Sequence, residues 1–137
     1  MNGSERTAAG GPLLLRWLPV LAYLAVIFTL SAQPNLQVPG TFAYRDKYAH
    51  LLEYGGFGWL VFRAARDTWP RAGAVRRALL ALLAVSAVGA CDEKFQASVP
   101  GRESSVYDWL ADTTGAGLSQ LLANAPRLAR LRRRRVA

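Results

Sequence analysis

The chain has 137 residues, is 52% apolar and still carries a formal charge of +8. That is about one domain's length, yet its apolar residues fall in two near-continuous runs that a soluble core of this size does not need. The lone Cys91 excludes an intrachain disulfide, and no repeat or glycine-rich phosphate loop is present.

Residues 1–11 read as a short N-terminal tail. The first apolar run, Pro12 to Ala32, is broken only by Arg16 and is long enough to span a bilayer. Its length argues against a cleaved signal, and Ser31–Ala32–Gln33 is a poor cleavage sequence. Tyr48 to Phe62 is apolar apart from His50 and Glu53, inside a helix expected over 46–66. Ala78 to Cys91 carries no charge and predicts a second clear span over 75–96, with Cys91 a small apolar filler near its end. Val106 to Ala125 is apolar and small apart from Asp108, Asp112, Gln120 and Asn124, and predicts a helix over 105–125. Residues 126–137 form an Arg-rich C-terminal tail.

Hydropathy alone leaves the second and fourth segments as interfacial helices. Two features raise them to spans. Their charges sit in the first two turns, and each holds small residues (Gly55, Gly56 and Gly58; Gly115, Ala116 and Gly117) that let spanning helices approach closely. The expected fold is an all-α, integral-membrane four-helix bundle over 12–125.

Charge orients it. With both termini cytoplasmic, thirteen basic residues stay inside: Arg6, Arg16, Arg63, Arg66, Arg71, Arg76, Arg77, Arg127, Arg130 and Arg132 to Arg135. Only Arg45, Lys47, Lys94 and Arg102 lie outside. Short basic loops stay cytoplasmic, so the expected topology is N-in/C-in. In this setting the Arg tail reads as an anionic-lipid anchor and not as a nucleic-acid arm.

Two polar motifs then share the outer side. In the first, Asp46, His50, Glu53, Tyr54 and Phe57 fall on one helical stripe, with Lys47 beside it. Asp46 is placed to serve the helix N-terminus. Glu53 has to face inward, since lipid is a costly neighbour for a carboxylate. In the second, Asp92 and Glu93 end the third helix, and Gln96 follows one turn on if that helix continues. Val99–Pro100–Gly101–Arg102 makes a turn, Ser104 or Ser105 caps the fourth helix, and Asp108, Asp112 and Gly115 line one of its faces. Asp112 lies deepest, where a carboxyl group needs a partner or a proton.

In these motifs the chain resembles the VanZ-like family of small bacterial integral membrane proteins. The resemblance rests on Lys47, His50 and Tyr54, and more heavily on Asp92–Glu93, Gln96, Pro100–Gly101–Arg102, Ser105, Asp108 and the Gly115 region, in that order. It covers roughly 12–125. The family commonly shows Asn where this chain has Asp112. The resemblance implies a multi-pass envelope protein of the bacterial cytoplasmic membrane. The founding member is associated with resistance to the lipoglycopeptide teicoplanin, and most members have no assigned reaction.

Three readings of the polar residues stand side by side. In the first they bind an anionic lipid, a lipid-linked cell-wall precursor or the antibiotic. Arg102 is then the planar anion fork and Lys47 a second cation, and His50, Glu53, Tyr54, Asp92, Glu93, Gln96, Asp108 and Asp112 line the site. In the second a divalent metal sits among His50, Glu53, Glu93 and Asp108, with Asp92 and Asp112 as further acids, and the protein is an enzyme acting on a lipid-linked phosphate. In the third the cluster is a purely structural network. No established catalytic signature is present, which favours binding over catalysis, and the sequence calls for no cofactor.

Overall fold

The computed structural model describes residues 12–136, and side chains through residue 125. Four helices follow one another: α1 (Leu13–Ser31), α2 (Arg45–Thr68), α3 (Ala74–Gln96) and α4 (Val106–Val136), with no strand among the described residues. Each coincides with an expected helix to within one or two residues, except at the end of α4. There the helix runs on through Pro126 to Val136, into the segment expected to be a separate tail. The expected N-terminal tail, 1–11, lies outside the described residues.

Local chemistry sets the helix boundaries. Before α2 the chain turns through Tyr44 at φ 60°. Asp46 is the acid of the first turn of α2, as expected; no side chain caps the helix, and the Asp46 carboxylate accepts from Lys47 Nζ at 2.7 Å. α3 does continue through Gln96. Beyond it the chain folds back, with Arg102 N–H donating to Val99 O at 3.1 Å around Pro100 and Gly101. Gly101 sits at φ 74°, and a Cβ there would run into the Asn35 side chain. Ser105, and not Ser104, caps α4: its Oγ accepts from Tyr107 N–H at 3.2 Å.

α2 is the centre of the bundle and touches the other three helices. Tyr54, Phe57, Val61, Phe62 and Ala64 of α2 pack on Val20 and Ile27 of α1, Ala81 and Val85 of α3 and Ala116 of α4. The tightest seam joins α2 to α4. Gly115 leaves no room for a side chain, since a Cβ there would collide with Leu51 O and lie 3.1 Å from Gly55 N. At Gly58 a Cβ would come within 2.7 Å of Ala116. Gly55, Gly58, Gly115 and Ala116 therefore work as the small-residue pattern predicts. Gly56 does not belong to this seam; it faces Tyr23 of α1, whose Oη would lie 2.8 Å from an added Cβ.

α1 and α3 are long and apolar enough to cross a membrane, by length and composition. α2 and α4 are less apolar on average, but their outer faces are not polar. Exposed residues along them include Tyr48, Leu52 and Trp59 on α2, and Val106, Leu110, Leu118, Leu121 and Leu122 on α4. α1 and α3 add Leu14, Leu18, Leu21, Val26, Leu79 and Leu83 to the same outer band. Cys91 is exposed on α3, so it is not the packed filler expected from the sequence.

Gly115→Ala is expected to cost about 1–3 kcal/mol by overpacking the seam. Gly117→Ala, whose added Cβ meets only Leu82 Cδ1 at 3.9 Å, is expected to be neutral or mildly stabilising. Thermal unfolding of the two purified variants in detergent checks this; identical melting would refute the seam.

Candidate functional site

One end of the bundle gathers almost every candidate residue. α2 and α4 run parallel there, and the glycine seam fixes which turns meet. Lys47 of α2 lies against Asp108 of α4, with Nζ 2.6 Å from Oδ1, and also holds Asp46 at 2.7 Å. One turn deeper, His50 Nδ1 and Asp112 Oδ1 share a hydrogen bond at 2.9 Å, and Glu93 Oε1 of α3 lies 3.9 Å from the same nitrogen. Asp112 is 0% exposed.

A second chain of bonds joins α2, α3 and α1. Tyr54 Oη–H donates to Asp92 Oδ2 at 3.2 Å. Gln96 Nε2–H reaches the same oxygen at 3.0 Å and Ser31 Oγ at 3.2 Å. The carbonyl of that amide, Gln96 Oε1, accepts from Arg102 Nη2–H at 2.9 Å. Glu93 Oε2 accepts from Ser105 N–H at 2.7 Å, which pins the start of α4 to the end of α3.

The residues fall into a front row and a back row. A cavity of about 860 Å³ opens between the α1–α2 connection and the α3–α4 turn, and Lys47, His50, Glu53, Gln96, Arg102 and Asp108 line it. Tyr54, Asp92, Glu93 and Asp112 lie buried behind. Three oxygens of that back row, Asp92 Oδ1, Glu93 Oε1 and Asp112 Oδ2, are buried with no hydrogen-bond partner. Unpartnered buried oxygens are uncommon and costly. Three carboxyl groups here accompany one imidazole.

The detailed pairing differs from a simple facing of His50 and Glu53 against Glu93 and Asp108. His50 does reach Glu93, but its close partner is Asp112, because the seam register puts Asp108 one turn higher, opposite Lys47. Glu53 lines the cavity and its carboxylate makes no hydrogen bond among the described residues. The group with metal-ligand spacing is His50, Glu93 and Asp112, whose ligand atoms all lie within 4.8 Å of one another; Glu53 and Asp108 are not in it. Arg102 is held by an amide and not by carboxylates, and it makes no ion pair among the described residues.

Two contributors were not singled out from the sequence. Ser31 lay at the end of an apolar run, with nothing to show that its hydroxyl meets Gln96. Gly89 lies on the inward stripe of α3, three residues before Asp92, and an added Cβ would sit 3.0 Å from Asp112 Oδ2. That spacing is a readable signal that α4 approaches α3 there.

The fold and site define a small all-α protein with a buried network of ionisable residues at one end of a helical bundle. The VanZ/LLP1 family model matches residues 16–127, and the chain belongs to the VanZ/LLP1 family. No curated protein and no solved structure matches it.

Lys47→Met strands the nearly buried Asp108 carboxylate and is expected to destabilise the protein by about 1–3 kcal/mol. Asp108→Leu in the same protein removes the stranded charge and is expected to recover most of that loss. A double-mutant cycle followed by thermal unfolding checks the pair; strictly additive losses would show that it contributes nothing.

Proposed function

We propose that this VanZ-type protein spans the bacterial cytoplasmic membrane four times, with both termini in the cytoplasm, and binds an anionic headgroup at its acid-rich, extracytoplasmic end. The apolar outer band on all four helices supports the spans: α2 and α4 are less apolar on average because their polar residues point inward. The excess of basic residues at the other end supports the orientation. Expected ligands are anionic membrane lipids, lipid-linked cell-wall precursors or a lipoglycopeptide. The last would tie this member to teicoplanin-type susceptibility, as in the family's founding protein.

The observation that carries the binding reading is Arg102. It faces a cavity of about 860 Å³, is oriented by one bond to Gln96, and has no carboxylate partner among the described residues. Its guanidinium therefore has donors to spare for phosphate or carboxylate. Lys47 supplies field but is already bound to Asp46 and Asp108, so it is the lesser anchor.

A second reading has its own observation. The clustering of His50, Glu93 and Asp112, with two unpartnered carboxylate oxygens among them, suits a divalent cation. A cation there would lie just behind the cavity and would favour water attack on a lipid-linked phosphate. This is the enzymatic alternative; a structural network is the third.

Topology is checked by cysteine labelling in a Cys91→Ser background. Cysteine at Arg71 is expected to resist a membrane-impermeant reagent in intact cells and to react after permeabilisation; labelling in intact cells would overturn the orientation.

Arg102→Lys keeps the charge but loses the fork. It is expected to melt like the wild type and to bind anionic lipid about tenfold more weakly. Lipid titration of the purified protein measures this, and equal binding would return the cluster to a structural role. Asp112→Asn separates the two site readings. Under headgroup binding it is tolerated, whereas under the cation reading it abolishes stabilisation by added zinc or manganese in a thermal-shift titration.

A further inference from the structure

A second cavity, of about 710 Å³, lies at the opposite end of the bundle from the carboxylates. Trp17 of α1, Trp69 after α2, and Arg71, Arg76, Arg77 and Leu80 line it, and no acidic residue does. Arg77 is the informative residue. It is only 8% exposed and makes no ion pair among the described residues. Its Nη1–H donates to Trp69 O and Pro70 O, each at 2.9 Å, while its Nε is buried with no partner among the described residues.

A buried guanidinium with neutral partners and an unused donor is an expensive arrangement that an anion would relieve. Two more features point the same way. Arg71 and Arg76 add positive charge to the same cavity. The first turn of α3 carries no acidic residue, and Gly73 offers it no side-chain cap, so the positive end of the helix dipole is uncompensated. The remaining lining is apolar apart from Thr68, whose hydroxyl accepts from Trp17 Nε1–H at 2.9 Å, and Leu79, Leu80 and Leu83 continue it onto the exposed outer band.

We propose that this end of the bundle is a binding site for an anionic membrane phospholipid. The phosphate is held by Arg77 with Arg71 and Arg76, and one acyl chain lies along the apolar wall by Leu80. Free phosphate satisfies only the charged half of the cavity, and a zwitterionic lipid cancels much of the attraction. The site shares no residue with the acid-rich end and does not depend on how that end is used.

The test uses the full chain in detergent, as wild type and as Arg102→Lys to weaken the acid-rich end, each titrated with short-chain phosphatidylglycerol, with phosphatidylcholine of equal chain length and with inorganic phosphate. Native mass spectrometry and thermal shift read the binding. Phosphatidylglycerol is expected to bind at least about tenfold more tightly than either control. Arg77→Gln keeps a donor for the Trp69 and Pro70 carbonyls but loses the charge, and is expected to weaken phosphatidylglycerol about tenfold. If Arg77→Gln does not fold, the exposed pair Arg71→Gln and Arg76→Gln decides, with unchanged melting and weakened phosphatidylglycerol binding expected. Equal affinity for the two lipids, saturation by phosphate alone, or arginine variants of this cavity that bind like the wild type would each overturn the site.

Discussion

The close approach of α2 and α4 is the constraint on which the rest of this structure depends. Gly115 set against the backbone of Leu51 and Gly55, and Gly58 set against Ala116, leave one register in which two parallel helices can mesh. A shift of one turn would drive side chains into backbone. In that register Lys47 meets Asp108 and His50 meets Asp112. The pairing of ionisable groups is therefore a consequence of backbone contact between residues without bulk. Small residues are also what drives helix association where no hydrophobic effect operates between helices.

The same constraint brings the polar residues of α2 and α4 face to face. Side chains that face this seam are withdrawn from the outer surface, so they can be charged without spoiling the apolar band around them. α1 contributes Ser31, and α3 contributes Asp92, Glu93 and Gln96 at this end and Arg77 at the other. Those at this end close the network at a single level. The two ends of the bundle thus differ in kind. One holds carboxyl groups in excess of their partners, while the other holds a buried guanidinium with no carboxylate partner.

Much of the fold was legible because each element announces itself locally. Apolar runs of spanning length gave α1 and α3, and small residues beside early charges gave α2 and α4. Pro100–Gly101 gave the turn between α3 and α4. Membership of the polar cluster was legible too, since ionisable residues beside apolar helices have few places to go. The pairing within it was not. Whether His50 meets Asp108 or Asp112 turns on a displacement of one helical turn, about 5.4 Å. That displacement is decided by contacts such as Gly115 on Leu51, which involve residues far apart in sequence. The partner of Arg102 was not legible either: it bonds to Gln96, because Asp92 and Glu93 turn inward to Tyr54 and Ser105. Arg77 looked like one more cytoplasmic charge; only the fold of the 69–73 connection over it makes it buried.

Asp112 is the position at which shape and charge can be separated. An asparagine, the residue suggested there by resemblance to the VanZ-like family, has nearly the same outline. It would fit against Gly89 as the carboxylate does, and its carbonyl oxygen can keep the bond to His50. Packing therefore does not choose between the two residues. What the acid adds is negative charge beside an imidazole and next to Glu93, in a pocket with no other cation within bonding distance among the described residues. That addition has a cost, because it leaves a buried oxygen without a partner among the described residues. The carboxylate is set 2.9 Å from His50 Nδ1, within reach of an imidazole N–H. Charge, and not outline, is thus what separates the two residues at this position, one turn beneath the cavity that Arg102 faces.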